Sequence, residues 1–149
     1  MMILGMGILV LISLIQLSFK GGEMQIPDNL LYSEDHEWFM VNGENCQIGI
    51  TEYAQGELGD IVFMELPEIG MKVSRGDSIG TIEAVKTVAD VYTPISGEIV
   101  DINSNLEDNP ELINNDPYNK GWIVTIKANE PINSSDHLDA LKYKEFIGK

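Results

Sequence analysis

The residue of this sequence with the most distinctive setting for chemistry is a single lysine, Lys86. It lies within the apolar-rich run I-G-T-I-E-A-V-K-T-V-A-D-V-Y-T-P-I-S-G-E-I-V, residues 79–100. Acidic residues flank it, with Glu83 three positions before it and Asp90 four positions after it. On composition alone, such a lysine is an ordinary surface residue. What its amine can do depends on how the chain presents it to another protein.

The other residue types that commonly do chemistry form no catalytic group in this sequence. The only two histidines, His36 and His137, lie in different contexts and lack the local spacing of a metal site. The only cysteine, Cys46, excludes an internal disulfide and is expected to be a small core residue. Motifs of nucleophile elbows, P-loops and dinucleotide sites are absent. We therefore expect no catalytic residue, no metal ligand, and a protein that is not an enzyme by itself.

A β-hairpin with Lys86 at its tip is the element that would present the amine. Folding back between Val85 and Lys86 pairs Ala84 with Thr87, Glu83 with Val88, Ile82 with Ala89 and Thr81 with Asp90. Alternation then predicts an apolar inner face of Ile82, Ala84, Ala89 and Val91, and a mostly polar outer face of Thr81, Glu83, Val88 and Asp90. A type I turn is expected at the tip, because the β-branched Val85 resists the positive φ of the usual two-residue hairpin turns.

The composition limits the class of protein. The chain has 149 residues, of which 44% are hydrophobic, and this suits one globular domain with a real core. Its formal net charge is −15 with only nine Lys and Arg residues, which argues against nucleic acid binding. The same charge favours a protein that meets basic patches on partner proteins. A single cysteine is compatible with a reducing compartment.

The first 23 residues differ in character from the rest of the chain. Residues 1–19 are almost entirely apolar and long enough to span a bilayer. No positive charge precedes this run and no small-residue cleavage site follows it, which disfavours a signal peptide. The codons of residues 20–23, K-G-G-E, can contain a bacterial ribosome-binding sequence just before Met24. We therefore expect residues 1–23 to lie outside the native protein, which would begin at Met24. A membrane anchor is the disfavoured alternative.

Short strands and helices are predicted along the remaining chain. Asn42 and Gly43 are a strong turn signal and place a first hairpin near residues 37–50. Residues 51–58 are predicted to form a short helix, with Thr51 as its N-cap. Further strands are predicted over residues 60–66, 98–102 and 122–127.

A last helix is predicted over residues 134–146. Ser134 or Ser135 would cap it, and its buried face would consist of Leu138, Leu141 and Phe146. Short strands with frequent turn signals, together with two short helices, indicate a mainly β sandwich or compact barrel with helical decoration.

Five segments, in order along the chain, carry a more specific signal. They read Y-S-E-D-H-E-W at 32–38, I-G-I-T-E-Y-A-Q-G-E-L-G-D-I-V at 48–62, E-L-P-E-I-G at 65–70, I-E-A-V-K-T-V-A-D-V-Y-T-P-I-S-G-E-I-V at 82–100, and L-I-N-N-D-P-Y-N-K-G-W at 112–122. Together they resemble the H protein family of the glycine cleavage system over nearly all of residues 26–147. The family often has Ser where Ala84 stands and Ala where Thr87 stands. Residues 1–23 have no counterpart in its usual bacterial form.

The resemblance implies a barrel-sandwich hybrid of the lipoyl- and biotinyl-carrier type over residues 24–149, including a C-terminal helix. It also implies that Lys86 bears lipoate in amide linkage. Such a carrier takes an aminomethyl group from a pyridoxal-phosphate glycine decarboxylase to a folate-dependent aminomethyltransferase. It passes electrons to dihydrolipoamide dehydrogenase, which uses FAD and NAD. The protein supplies position and surroundings, and the cofactor does the chemistry.

The resemblance further implies roles for three carboxylates. Glu37 and Asp90 match acidic positions that hold the cationic, loaded arm in a cleft, although both residues can equally be ordinary exposed carboxylates. Glu83 would help lipoylating enzymes to recognise the attachment site. A monomer in the bacterial cytoplasm is expected.

Three other interpretations compete with a glycine cleavage carrier. A biotin carrier would have Met on both sides of its lysine, and Val85 and Thr87 disagree with that. A related protein that relays lipoyl groups to other lipoate-dependent enzymes is consistent with the same residues. An unmodified, membrane-tethered interaction module would require residues 1–19 to be part of the native protein.

Overall fold

The computed structural model describes residues 23–148, and these contain nine β-strands and four short α-helices. The strands are β1 (Leu31–Tyr32), β2 (Glu37–Asn42), β3 (Asn45–Ile50), β4 (Ile61–Glu65), β5 (Lys72–Val73), β6 (Ser78–Ala84), β7 (Val88–Tyr92), β8 (Gly97–Ile102) and β9 (Val124–Ala128). The helices are α1 (Glu52–Leu58), α2 (Asn105–Asp108), α3 (Leu112–Asn115) and α4 (Ala140–Phe146), with a 3₁₀ turn at Ser134–Asp136. The expectations for residues 1–22, a leader or a membrane anchor, lie outside this range. Within it, no helix is long and apolar enough to cross a membrane.

The strands form two antiparallel sheets. The larger sheet has the order β1-β2-β3-β9-β8-β5, and the smaller one has the order β4-β6-β7. One apolar core joins them, and its fully buried members include Phe39, Ile48, Ile79, Ile82, Ile99, Leu106, Ile113 and Ile126. The predicted mainly β architecture with short helices, one of them C-terminal, is confirmed.

The first hairpin and the first helix follow from local signals. β2 pairs with β3 from Glu37 opposite Ile50 to Asn42 opposite Asn45. The turn therefore consists of Gly43, with φ of 65°, and Glu44. Thr51 caps α1 by accepting a hydrogen bond at 3.1 Å from the N–H of Ala54, as predicted.

The prediction of one continuous helix over residues 134–146 is wrong. After the 3₁₀ turn the chain becomes extended, and Leu138 forms a β-bridge with Tyr32 through two backbone hydrogen bonds of 2.8 and 3.0 Å. α4 begins only at Ala140. Its N-cap is Asp139, which accepts a hydrogen bond at 2.8 Å from the N–H of Lys142, so neither Ser134 nor Ser135 caps it. Because Leu138 pairs with β1, its backbone is extended and cannot be part of a helix.

The later start also changes which face of the helix is buried. Ala140 and Tyr143 are buried, whereas Leu141 is 66% exposed and Phe146 48% exposed. The predicted apolar face of Leu138, Leu141 and Phe146 is therefore wrong. Tyr143 stacks on Tyr32, with ring centroids 4.7 Å apart and planes 10° from parallel.

Around this stack lies a second, smaller core. It joins the segment before β1 to the first two strands and to α4, and its buried members are Ile26, Leu30, Tyr32, Trp38, Ala140 and Tyr143. Trp38 also donates a hydrogen bond at 2.9 Å from Nε1 to the carbonyl of Pro117. The two ends of the described chain are thus fastened beside the start of β2.

Candidate functional site

The hairpin that carries Lys86 has the predicted register. β6 and β7 pair Glu83 with Val88, Ile82 with Ala89 and Thr81 with Asp90. Nearest the tip, the N–H of Ala84 donates a 2.8 Å hydrogen bond to the carbonyl of Thr87. The chain therefore reverses across Val85 and Lys86, as predicted.

The two faces of the hairpin differ as the alternation predicted. Ile82, Ala84 and Val91 are buried and Ala89 is half-buried, whereas Glu83, Val88 and Asp90 are exposed. β4 pairs with the other edge of β6, with Met64 opposite Ile82 and Ile61 opposite Ala84. The lysine tip is thus mounted on a three-stranded sheet whose inner face is anchored in the core.

The tip itself is held by backbone groups. The N–H of Val85 donates a 3.1 Å hydrogen bond to the carbonyl of Asp60, just before β4. Among the non-glycine residues that the structure describes, only His36 has a positive φ, so Val85 and Lys86 do not. Turns of types I′ and II′ are therefore excluded here, while the type I turn stays a prediction.

The amine at this tip suits attachment of a group through an amide. Lys86 is exposed. The only ion pair found within residues 23–148 joins Lys127 to Glu44 at 3.8 Å, so no described carboxylate holds the amine. Acylation would remove the ammonium charge without leaving a described carboxylate unpaired. The backbone bonds that fix the tip do not involve the lysine side chain and would persist after modification.

Glu37, predicted as a cleft residue, is buried, and the alternative of an ordinary exposed carboxylate is wrong for it. Its side chain is 2% exposed. Oε1 accepts a 2.6 Å hydrogen bond from the hydroxyl of Ser33, and Oε2 accepts one at 3.4 Å from the N–H of Tyr92 on β7. Burial raises the pKa of Glu37 to about 7, although the Ser33 bond opposes the rise. This carboxyl group has no cation partner among the described residues.

Asp90 and Glu83 are exposed on the outer face of the hairpin. Asp90 accepts a 3.0 Å hydrogen bond from the hydroxyl of Thr81 on the opposite strand. Its carboxylate thus faces β6, whereas Glu37 contacts the backbone of β7 two residues farther on, at Tyr92. Glu83 lies nearer the lysine tip, one residue before Ala84.

A cavity of about 380 Å³ is lined in part by Glu37. Its walls come from the turn before β2, the turn at Arg75 and Gly76, the 3₁₀ turn and α4. Neither Asp90 nor Glu83 lines it. The three predicted acidic residues therefore do not form one pocket: Glu37 lines the cavity, whereas Asp90 and Glu83 are exposed on the outer face of the hairpin.

The turn that leads into Glu37 is tied to distant parts of the chain. His36, with φ of 70°, holds a backbone conformation that is uncommon for residues other than glycine. Its Nδ1 shares a 2.9 Å hydrogen bond with the hydroxyl of Tyr143, which also bonds to Thr51 Oγ1 at 2.8 Å. His36 is thus a structural residue that links α4 to α1.

The remaining candidate residues have structural roles. The imidazole of His137 packs edge-on against Phe39, with ring centroids 4.7 Å apart. Cys46 is fully buried, as predicted, and burial raises the pKa of its thiol to about 12. A thiol with so high a pKa is unreactive near neutral pH.

One feature near the lysine escaped prediction, a cluster of exposed apolar side chains that we call the tip patch. Its members are Val62, Phe63, Val85 and Val88, with exposed fractions of 55%, 45%, 69% and 62%. Strict alternation in β4 would point Phe63 inward like Ile61, but the ladder shifts register between these two residues. This β-bulge turns Val62 and Phe63 outward together. The four consecutive apolar residues at 61–64 were the only sequence signal for it.

Comparisons with known proteins agree with this architecture. A family model described as Glycine cleavage H-protein matches residues 30–149. The Glycine cleavage system H proteins of Staphylococcus carnosus and Staphylococcus haemolyticus are 52% and 50% identical over 126 residues, which is 85% of this chain and the whole of each relative. The crystal structure of a glycine cleavage system H protein from Mycobacterium marinum superposes with a TM-score of 0.76 at 38% identity. It covers 83% of this chain and 100% of that one. The chain belongs to the glycine cleavage H protein family.

Proposed function

We propose that this protein is the lipoyl-bearing carrier of the glycine cleavage system. The observation that carries the proposal is an exposed lysine, without an ion-pair partner among the described residues, at the tip of a hairpin braced by backbone bonds in a chain of this family. Lipoate, joined to Lys86 Nζ as an amide, supplies a dithiolane that alternates between a disulfide and a dithiol. The chain itself contributes position and surroundings and does not catalyse the reactions.

Position comes from the three-stranded sheet. Ile82, Ala84 and Val91 fix the hairpin to the core, and the bond from Val85 to Asp60 fixes its tip. A rigid base with a reachable amine lets one attached arm visit several active sites. The net charge of −15 favours partners with basic surfaces. The expected partners are the glycine decarboxylase, the aminomethyltransferase, dihydrolipoamide dehydrogenase and a lipoylating enzyme, met by a monomer in the cytoplasm.

Surroundings come from acidic residues at β7. Glu37 accepts a bond from the backbone of Tyr92 and Asp90 lies on the same strand, and neither has a cation partner among the described residues, so an ammonium group would supply one. A cation beside Glu37 would favour its charged form and lower its raised pKa. The cost of burying this carboxyl group would then be offset when an amine is held there. Glu83, nearer the tip, is placed to be read by the enzyme that modifies Lys86.

The mass of the intact protein from lipoate-replete cells tests the attachment. We expect the mass increase of one lipoyl group, and we expect it to vanish in a Lys86→Arg variant. The variant keeps a cation at the tip and should fold normally, because the side chain is exposed and surface changes cost within about 0.5 kcal/mol. An unmodified Lys86 in such cells would refute the carrier role. The same measurement tests the prediction that the native chain begins at Met24.

Exchange of labelled CO₂ with the carboxyl group of glycine separates the two lipoyl functions. With purified glycine decarboxylase, the lipoylated protein should support the exchange, and the Lys86→Arg variant should not. If the lipoylated protein is inactive with this enzyme but donates its lipoyl group to other proteins, it is a relay and not a glycine cleavage carrier. Family membership favours exchange activity.

A further inference from the structure

The tip patch is an exposed apolar surface next to the attachment lysine. Phe63, Glu83 and Val88 lie directly opposite one another across β4, β6 and β7, so their side chains point to the same outer face. Val85 adds a further exposed apolar side chain at the turn, beside Lys86. Apolar side chains grouped in this way around one functional residue mark a contact surface more often than solitary ones do.

The bulge in β4 shows that this patch is built into the backbone. Without the register shift between Ile61 and Phe63, one of the two outward residues would turn into the core. Met64, which follows, is 1% exposed and restores the inward alternation. The strand therefore departs from its regular form only over the residues that face outward beside the tip.

Acidic residues complete this outer face. Glu83 lies within the row of Phe63 and Val88, and the next row across the sheet consists of Glu65, Thr81 and Asp90. None of these carboxylates belongs to an ion pair, since the single pair found in the described range is between Lys127 and Glu44. Apolar side chains beside unpaired carboxylates complement a partner that presents apolar side chains next to Lys or Arg.

We infer that the tip patch, with Glu83 and Glu65 beside it, is the docking surface for the enzyme that attaches the lipoyl group to Lys86. The inference rests on the carrier function proposed above. It assigns the recognition of the attachment site mainly to apolar contacts on β4 and β7, with the carboxylates steering the approach.

The short reach of the unmodified lysine side chain favours the lipoylating enzyme, over the enzymes that use the finished arm, as the partner that docks on the tip patch. Before modification, the amine stands on its own four-carbon stem. An enzyme that acylates it must bring its active site to the hairpin tip and must contact Val85, Val88 and Phe63. Enzymes that act on the finished arm meet a reactive group farther from the protein surface. They can therefore dock elsewhere.

The reaction to be followed is amide formation by a purified lipoate–protein ligase. ATP activates the carboxyl group of lipoate, and pyrophosphate is released. Lys86 Nζ then forms the C–N bond as AMP and a proton leave, without any change in oxidation state. The rate is measured from the mass increase of the unmodified protein, at several protein concentrations and two salt concentrations.

The test variant is Phe63→Thr combined with Val88→Thr. Both side chains are exposed and threonine favours strands, so the fold should hold. We expect kcat/KM for lipoylation to fall about tenfold, chiefly through KM, which corresponds to about 1.4 kcal/mol. The matched control is Val41→Thr, because Val41 is 41% exposed on β2 in the other sheet. Its rate should equal that of the unchanged protein.

A second readout separates docking from general damage. After exhaustive lipoylation, confirmed by mass, the double variant should support glycine-dependent CO₂ exchange at the rate of the unchanged protein. Glu83→Gln should lower the lipoylation rate mainly at low salt. Unaltered lipoylation of the double variant, or an equal loss in Val41→Thr, overturns the docking assignment and leaves the carrier function standing. Failure of the unchanged protein to be lipoylated overturns both.

Discussion

The lysine hairpin and the turn that leads into Glu37 are held by different forces. At the hairpin tip, backbone bonds fix the geometry and Lys86 itself makes no ion pair within the described residues. At Glu37, side chains fix it: Ser33 bonds to the carboxyl group, and Tyr143 reaches across from α4 to bond His36. Attachment of an arm needs only a rigid base and a reachable amine. Burying a carboxyl group as at Glu37 requires long-range packing.

This contrast predicts that substitutions at the tip alter modification and leave stability alone, whereas substitutions around Glu37 alter stability. It also predicts that ionisation of the buried Glu37 makes the stability of the protein depend on pH.

The largest effect is expected from Glu37→Gln. The pKa of Glu37 rises from 4.5 to about 7 on folding, so between these pH values the folded protein keeps a proton that the unfolded chain has released. Stability must therefore fall as the pH rises through this interval, by about 3 kcal/mol in total. Glutamine does not titrate, so the variant should lose about 3 kcal/mol less than the unchanged protein over the same interval.

Urea unfolding at a series of pH values measures this difference. The control is Val41→Thr, which changes an exposed side chain that carries no ionisable group and should keep the pH profile parallel to that of the unchanged protein. Parallel pH profiles for Glu37→Gln and the unchanged protein would show that Glu37 is not held as a buried acid. The contrast between the two regions would then fail.

The second effect is expected from Gly49→Ala in β3. A Cβ atom at this position would lie 2.7 Å from the ring of Trp38, which is buried and bonded to Pro117. Because a large buried ring can move little, the variant should lose about 2 kcal/mol of unfolding free energy. Urea denaturation measures the loss.

Gly56→Ala is the matched control. Gly56 lies inside α1, and a Cβ atom there meets nothing within 4 Å. The control should gain about 1 kcal/mol, because alanine favours a helix. A loss in both variants would point to a general intolerance of added atoms and not to packing against Trp38.

The same contrast explains how much was predictable. The hairpin register, its inner face and the position of Lys86 follow from alternation over a few neighbouring residues, which is a local signal. The burial of Glu37 depends on Ser33, on Tyr92 and on packing from the C-terminal segment, and no local pattern encodes that. The bulge at Val62 and Phe63 was missed for a related reason, because a register shift depends on the partner strand.

The prediction for the C-terminal helix was wrong for a third reason. Residues 134–146 have helical periodicity and two serines suited to capping, but Leu138 pairs with Tyr32 of β1 instead of joining a helix. Tertiary pairing overrode a weak helical preference. The family resemblance supplied what neither region reveals from its own residues, namely the group that Lys86 is proposed to bear.

The smallest effect is expected at the cap of α4. It distinguishes a helix that begins at Ala140 from one continuous helix over residues 134–146. If α4 begins at Ala140, Asp139→Ala removes the bond from the N–H of Lys142 and should cost about 1 kcal/mol, while Ser134→Ala should cost almost nothing. If one helix spans the segment, the order of the two losses reverses. The cap also bears on function, because α4 carries Tyr143, which restrains His36 beside Glu37. Asp139→Ala should therefore loosen the Glu37 turn and leave the lipoylation rate at Lys86 unchanged. A matching fall in lipoylation would show that the tip and the turn are coupled after all.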